Sequence, residues 1–171
     1  MNPPATDDGL KAASDWFGHA LAADVEQAYR VADGQQSTLP GVLFGMPWLS
    51  LQQARQEYQI WQDIAAEDTS LHSQPEGAIQ SVNFSPAWFP FAVDGGGNGL
   101  AVDLAPGSTG TVGQVITYGP DEQTRRVIAP SLTAFFEWAA NEVRAGHLTM
   151  EGQDVRLNGA SSLLDEFQRL F

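Results

Sequence analysis

Cysteine is absent from the 171-residue sequence. This absence excludes disulfide bonds, thiolate nucleophiles and cysteine-ligated zinc or iron–sulfur centres. The first eight residues lack the basic and apolar segments of a secretory signal, and no uninterrupted apolar run reaches the length of a membrane span. The sequence therefore predicts a cytoplasmic protein with no membrane partner.

Basic residues are scarce, because eight lysines and arginines stand against 21 aspartates and glutamates, for a formal net charge of −13. This charge repels nucleic acids and anionic lipid surfaces, so neither is an expected partner. Two interpretations of the acidity stay open at this point. It can serve solubility alone, or it can form a surface complementary to a basic protein.

Recognisable catalytic motifs are also missing. His19, His72 and His147 lie far apart in the sequence, and neither an HExxH nor a GxSxG motif occurs. Acidic residues are numerous, but their spacing does not show which two could face each other across a cleft. The sequence predicts no catalytic residue, no cofactor and no metal site, and hence a protein that is not an enzyme.

Glycine is concentrated at residues 95–99, where two apolar runs flank the sequence Gly-Gly-Gly-Asn-Gly. This loop lacks the lysine of a P-loop and the GxGxxG spacing of a dinucleotide-binding turn. Asp94, Asn98 and Asp103 could instead bind a hard cation such as calcium. The alternative, favoured because no bidentate glutamate follows, is that these side chains bond their own backbone in Asx turns. Gly96 is then a candidate for a positive φ.

Hydrophobic periodicity predicts a single α+β domain over residues 1–171. Leu100, Val102 and Leu104 alternate with Ala101 and Asp103, which is typical of a strand with one buried side. A twisted, mainly antiparallel sheet with helices packed on one face is therefore expected. Helices are expected near residues 16–20, 21–34, 50–65 and 131–146, and strands near residues 79–84, 88–93, 100–104, 114–118 and 126–128. Residues 1–9 are expected to be frayed, residues 68–77 to form a loop, and residues 161–171 to repeat the helical pattern weakly.

The central stretch resembles a known family signature. The Trp-Phe-Pro-Phe-Ala run and the Asp-Gly-Gly-Gly-Asn loop of residues 88–98 are followed by Asp103, Pro106, a Gly-x-x-Gly pair and the segment Ala-Pro-Ser-Leu. This pattern is similar to that of the SMI1/KNR4 (SUKH) family. The similar region covers about residues 21–146, residues 147–171 form a C-terminal extension, and Ala22 stands where the family usually has proline. The signature residues expected to be structural are Trp88, Pro90, Asp94, Gly96, Gly97, Asn98, Asp103, Pro106, Gly110, Gly113 and Ser131.

The resemblance implies a protein-binding domain, in agreement with the missing catalytic motifs. The family includes many bacterial immunity proteins, which neutralise a cognate toxin, and fungal regulators of cell-wall synthesis. An acidic surface suits a basic toxin, because complementary potentials accelerate association. A bacterial immunity protein that binds a basic toxin domain stoichiometrically is therefore predicted. The acidic residues proposed to contact this partner are Glu57, Asp63, Glu67, Asp68, Asp121 and Glu122.

A second hypothesis rests on loop composition alone. The glycine loops between Asp94 and Gly113 could form a small-ligand or cation-binding regulatory domain, as in cell-wall regulators, or an unrecognised hydrolase. A pocket with convergent carboxylates would favour this hypothesis, whereas a broad acidic face would favour protein binding. The oligomeric state is left open.

Overall fold

The computed structural model describes residues 1–36, 41–64, 71–151 and 154–171. Its helices are α1 (Asp7–Phe17), α2 (Ala23–Val31), α3 (Leu51–Ile64), α4 (Leu132–Arg144) and α5 (Leu163–Leu170). Its strands are β1 (His72–Gln74), β2 (Trp88–Val93), β3 (Gly99–Asp103), β4 (Gln114–Tyr118), β5 (Thr124–Ala129), β6 (Leu148–Glu151) and β7 (Asp154–Leu157). The predicted α+β class is confirmed.

Five strands form a mixed sheet in the order β1-β5-β4-β3-β2. The pairings of β2 with β3, β3 with β4 and β4 with β5 are antiparallel, whereas β1 joins β5 in parallel at the edge. In the hairpin of β2 and β3, Trp88 lies opposite Asp103 and Val93 lies opposite Gly99. β6 and β7 form a separate antiparallel hairpin. The sheet is thus mainly antiparallel, as predicted.

Two predicted helix starts are confirmed by their caps. Gln53 N donates to Ser50 Oγ at 3.2 Å, and Ser50 N donates to Gln53 Oε1 at 2.9 Å, which completes a capping box before α3. At the start of α4, Ala134 N donates to Ser131 Oγ at 3.1 Å. Because the first N–H groups of a helix have no intrahelical acceptor, these side chains define where each helix begins.

Both faces of the central strands β3 and β4 are buried, so the prediction that β3 has one buried side is wrong. Leu100 and Val102 belong to the main core, while Ala101 belongs to a second core with Trp61 and Phe84. The rings of Trp61 and Phe84 stack at a centroid distance of 5.7 Å. The second face is therefore covered by the end of α3 and by the irregular segment that precedes β2.

That irregular segment contradicts two sequence predictions. Residues 79–84 form bends with a single bridge residue at Val82 rather than a strand, and Ile79 and Phe84 are buried in the second core without belonging to the sheet. Conversely, β1 lies in the predicted loop. Its residues are polar and largely exposed, and it pairs with β5 through backbone groups, which hydrophobic periodicity does not report.

The expected fraying of residues 1–9 is also wrong. Asn2 N donates to Gly34 O at 3.1 Å and Ala5 N donates to Tyr29 O at 2.9 Å, so the segment is fastened along α2. Thr6 then caps α1 by accepting a hydrogen bond from Gly9 N at 3.1 Å. The expectation of fraying rested on the polar composition of this segment, and composition carries no information about such long-range backbone contacts.

Residues beyond 146 complete the core. Leu157, Leu163, Leu164 and Phe167 are buried in the same cluster as the apolar residues of α2 and α4. The ring of Phe167 lies 5.6 Å from that of Trp138 between centroids. The C-terminal extension is consequently packed into the domain.

Candidate functional site

The loop between β2 and β3 is organised by the Asp94 carboxylate. Asp94 Oδ1 accepts hydrogen bonds from Gly96 N at 2.7 Å and from Asn98 N at 2.9 Å, and Oδ2 accepts one from Asn98 Nδ2 at 3.1 Å. Asp94 N donates to Asn98 O at 2.8 Å, which closes the hairpin. Both carboxylate oxygens are thus engaged by donors of the same loop, as the Asx-turn interpretation requires.

Three carboxylates lie at the end of the sheet where this loop joins β2 to β3. They are Glu57, Asp94 and Asp121, and we call them the acidic edge. Asn98 joins two of them, because its Nδ2 also donates to Asp121 Oδ2 at 3.0 Å and its Oδ1 accepts from Asp121 N at 3.0 Å. Glu57 Oε1 accepts from Tyr118 OH at 3.2 Å. Burial, reinforced by the charges of Glu57 and Asp94, holds the pKa of Tyr118 well above its usual value, so the phenol stays a neutral donor.

The structure brings together only part of the predicted partner-binding set. Glu57 and Asp121 belong to the acidic edge, and Asp63 is exposed near the end of α3. Glu67 and Asp68 lie outside the described residues.

Glu122 is buried, with only 4% of its surface exposed, so its predicted role as a surface contact is wrong. Its N–H donates to Gly119 O at 3.3 Å in a turn that leaves the preceding Asp121 exposed and places Glu122 inside. Its carboxylate lies 3.7 Å from Arg126 Nη1 and accepts a hydrogen bond from Gln168 Nε2 at 3.5 Å. Burial raises the pKa of Glu122, against the lowering effect of these partners. Glu122 therefore links the turn after β4 to α5.

Asp103 is fully buried at the end of the same hairpin. Its Oδ1 accepts from Ala105 N and its Oδ2 accepts from Gln114 Nε2, each at 3.0 Å. Gln114 Nε2 also donates to Ala78 O at 2.8 Å, which connects the sheet to the segment covering its second face. Burial raises the pKa of Asp103 to about 6, although the two hydrogen bonds oppose that rise.

Other signature residues make close packing contacts. Trp88 is fully buried, and the guanidinium carbon of Arg125 lies 5.2 Å from its ring centroid, within range of a cation–π interaction. Pro90 lies in β2 next to a register shift in its pairing with β3. A Cβ on Gly110 would lie 2.7 Å from Pro106 Cβ, so only glycine fits there. Trp88 and Pro90 thus belong to the framework of β2, and Pro106 and Gly110 to that of the loop between β3 and β4.

Gly97, and not Gly96, is the position of the loop that favours glycine. Its φ is +90°, a value that strains any residue with a side chain, whereas Gly96 is outside the positive-φ region. A Cβ on Gly97 would meet Pro120 at an ordinary 3.8 Å, so strain alone opposes a side chain there. We expect Gly97→Ala to lower the free energy of unfolding by about 1 to 2 kcal/mol in urea denaturation. Gly95→Ala is the control, because its Cβ would meet no atom within 4 Å and its φ is not positive. Equal stability of the two variants would contradict the assignment.

A groove between α2 and α4 was not predicted from the sequence. It has a volume of about 640 Å³, and its apolar lining comes from Ala28, Val31, Phe136 and Ala140. Val31 is 76% exposed, more than any other large hydrophobic side chain described. We call this feature the α2–α4 groove. The signal for it was available, because Val31 falls outside the stripe that buries Val25 and Tyr29.

The α2–α4 groove continues past the beginnings of both helices. Asp24 and Thr133 line it and also line an adjoining hollow of about 570 Å³. The hollow contains Leu104 and the exposed side chain of Val112. Together they form an extended apolar surface on one side of the domain, which is a property of interaction sites.

Among residues 1–36, 41–64, 71–151 and 154–171, no cluster of three or more histidines and acids has the arrangement to hold a metal ion. No helix in these ranges is long and apolar enough to cross a membrane. The cytoplasmic location inferred from the sequence stays a prediction.

Comparisons with known proteins place the fold in context. The family model described as SMI1 / KNR4 family (SUKH-1) matches residues 4–138. The chain is 33% identical over 153 residues to the cell wall biosynthesis/cell cycle regulator smi1 of Schizosaccharomyces pombe, covering 80% of this chain and 30% of that protein. It is 32% identical over 164 residues to the glucan synthesis regulatory protein of Neurospora crassa, covering 74% and 31%. It is 26% identical over 185 residues to the cell wall assembly regulator SMI1 of Saccharomyces cerevisiae, covering 86% and 37%.

These relatives bear on the predicted function. They are fungal and are named as regulators, so the expectation of a bacterial protein is not confirmed, and the immunity and toxin-binding predictions gain no support. The cell-wall-regulator alternative is better supported. The chain spans about a third of the length of these three relatives.

Proposed function

The chain belongs to the SMI1/KNR4 family (SUKH-1), and we propose that it is a non-enzymatic regulatory domain that binds another protein in the control of cell-wall or glucan synthesis. The names of the relatives support the regulatory setting. The α2–α4 groove is the observation that carries the binding role. The proposed partner is a protein of this regulatory process, in place of the toxin predicted from the sequence.

The groove supports protein binding for a physical reason. Burying an exposed valine and the neighbouring apolar surface removes this surface from water, which contributes roughly 25 cal/mol per Å². The acids and amides around it leave a polar rim, and an apolar centre with such a rim is the usual anatomy of a binding interface.

A substitution at Val31 tests the proposal. We expect Val31→Asp to weaken partner binding on the order of thirtyfold, because a carboxylate would be buried without a partner in the interface. In cells of the source organism, deletion of the gene is expected to increase sensitivity to an inhibitor of glucan synthesis. The wild-type gene should restore growth on the inhibitor, and the Val31→Asp gene should not.

Ile60→Asp provides the matched control. Ile60 is 59% exposed on α3 and does not line the α2–α4 groove, so its variant should restore growth. Immunoblots should show equal amounts of the proteins. If deletion leaves inhibitor sensitivity unchanged, the cell-wall role is wrong. If Val31→Asp restores growth as well as Ile60→Asp does, the groove is not the binding surface.

A further inference from the structure

The two helices that form the α2–α4 groove begin at the same end. Thr133 N donates to Asp24 Oδ2 at 3.2 Å, which fixes the first turn of α2 beside the first turn of α4. The last residue of each helix, Val31 and Arg144, also lines the groove. The helices therefore run in the same general direction along its length.

The charges that line the groove are distributed unevenly along it, because Asp24 lies where the helices begin, Glu137 lies near the middle of α4 and Arg144 is the last residue of α4. Glu137 and Arg144 are exposed on α4 and lie seven residues apart, which places them on one face of the helix about 10 Å apart along its axis. Asp24 adds a second carboxylate near the beginning of the helices. Phe136 and Ala140 contribute apolar lining on α4, and the side chains of Gln27 and Asn141 add polar lining. A ligand lying along the groove therefore meets an acidic end and a basic end.

We propose, resting on the function proposed above, that the groove binds an amphipathic helix of the partner protein, antiparallel to α2 and α4. Its first turn carries acidic residues that face Arg144, and its last turn carries basic residues that face Asp24 and Glu137. Two parallel helices form ridges and a groove into which a third helix packs, and helix-in-groove binding is a recurring recognition mode.

Dipole and side-chain electrostatics favour the same direction. A helix is stabilised by acids in its first turn and by bases in its last turn, so the required charges are those that the bound helix already prefers. Antiparallel docking also brings the negative end of its macrodipole to the positive ends of α2 and α4. The hollow lined by Leu104 and Val112 lies beyond Asp24, so an apolar residue just after the basic turn fits there.

Two synthetic helical peptides test the direction. Each has 18 residues with the same leucine stripe and composition. The first carries glutamate in its first turn and lysine in its last turn, and the second has these charges exchanged. Fluorescence anisotropy measures the binding of each to the full chain and to the double variant Glu137→Lys/Arg144→Glu, which keeps the net charge unchanged.

We expect the first peptide to bind the wild-type chain on the order of tenfold more tightly than the second, and the double variant, in which Asp24 is unchanged, to lose this preference. A difference in helicity between the peptides affects their binding to both proteins equally. It therefore cancels when the affinity ratio of the two peptides for one protein is divided by their ratio for the other. Val31→Asp should weaken binding of both peptides. A preference for the first peptide that is the same in the wild-type chain and in the double variant would overturn the inferred direction. Binding of neither peptide would overturn the helix-in-groove inference, whereas the growth assay judges the regulatory function separately.

Discussion

Phe167→Ala is expected to lower the free energy of unfolding by about 3 to 5 kcal/mol. Phe167 is 1% exposed and packs against Trp138 in the main core, although it lies in the segment after α4. Removal of its ring leaves a cavity that the neighbouring side chains fill only in part. Urea denaturation followed by tryptophan fluorescence measures the change, because Trp138 reports on the same contact.

Leu170→Ala is the matched control for this substitution. Leu170 lies in the same helix, one turn further on, and is 49% exposed, so its removal should change stability by no more than about 0.5 kcal/mol. Deletion of residues 147–171 should prevent cooperative unfolding, because it also removes Leu157, Leu163 and Leu164 from the core. A cooperative, wild-type-like transition in the truncated chain would show that the extension is dispensable.

Elements with local signals were predicted well from the sequence. The capping box of Ser50 and Gln53 and the cap at Ser131 are short-range hydrogen-bond patterns, and both begin helices in the structure. The strand predicted over residues 114–118 has the observed bounds of β4. Such signals involve residues within a few positions of each other, so a single sequence contains them.

Features that depend on distant contacts were missed. The alternation in β3 correctly indicated a strand, but it did not show that Trp61 and Phe84 would cover the second face. Ala101 and Asp103 gave no sign of burial, because a small side chain and a carboxylate also suit an exposed face. The N-terminal segment likewise depends on backbone bonds to Tyr29 and Gly34, which no local pattern encodes.

The candidate site was predicted only in part for the same reason. Glu57 and Asp121, 64 positions apart in the sequence, are brought to one edge by Tyr118 and Asn98. Charge alone did not distinguish Asp121 from the buried Glu122 beside it, since the turn decides which of them points inward. The α2–α4 groove requires that two helices lie side by side although all five strands of the sheet separate them in the sequence.

The buried carboxyl of Asp103 is expected to make stability depend on pH. Its pKa is about 6 in the folded protein, above the ordinary value of 3.8, so the folded state binds the proton more tightly than the unfolded state does. The resulting stabilisation is fully present below about pH 4, is lost as the pH rises through about 6, and is absent above about pH 7. The gap between the two pKa values corresponds to roughly 3 kcal/mol.

The comparison of the wild-type protein with Asp103→Asn isolates this contribution. The amide of the variant faces Gln114 Nε2, a donor held by Ala78 O, so the variant loses one hydrogen bond at every pH. That loss lowers the stability of the variant by the same amount at every pH. The raised pKa of Glu122 affects both proteins alike, so it cancels in the difference between their stabilities. In urea denaturation from pH 4 to pH 7, the stability of wild type relative to Asp103→Asn should therefore fall by about 3 kcal/mol, most steeply between pH 4 and 6. Two curves that stay parallel over this range would show that Asp103 titrates alike in the folded and unfolded chains, which would contradict its burial as the dominant influence.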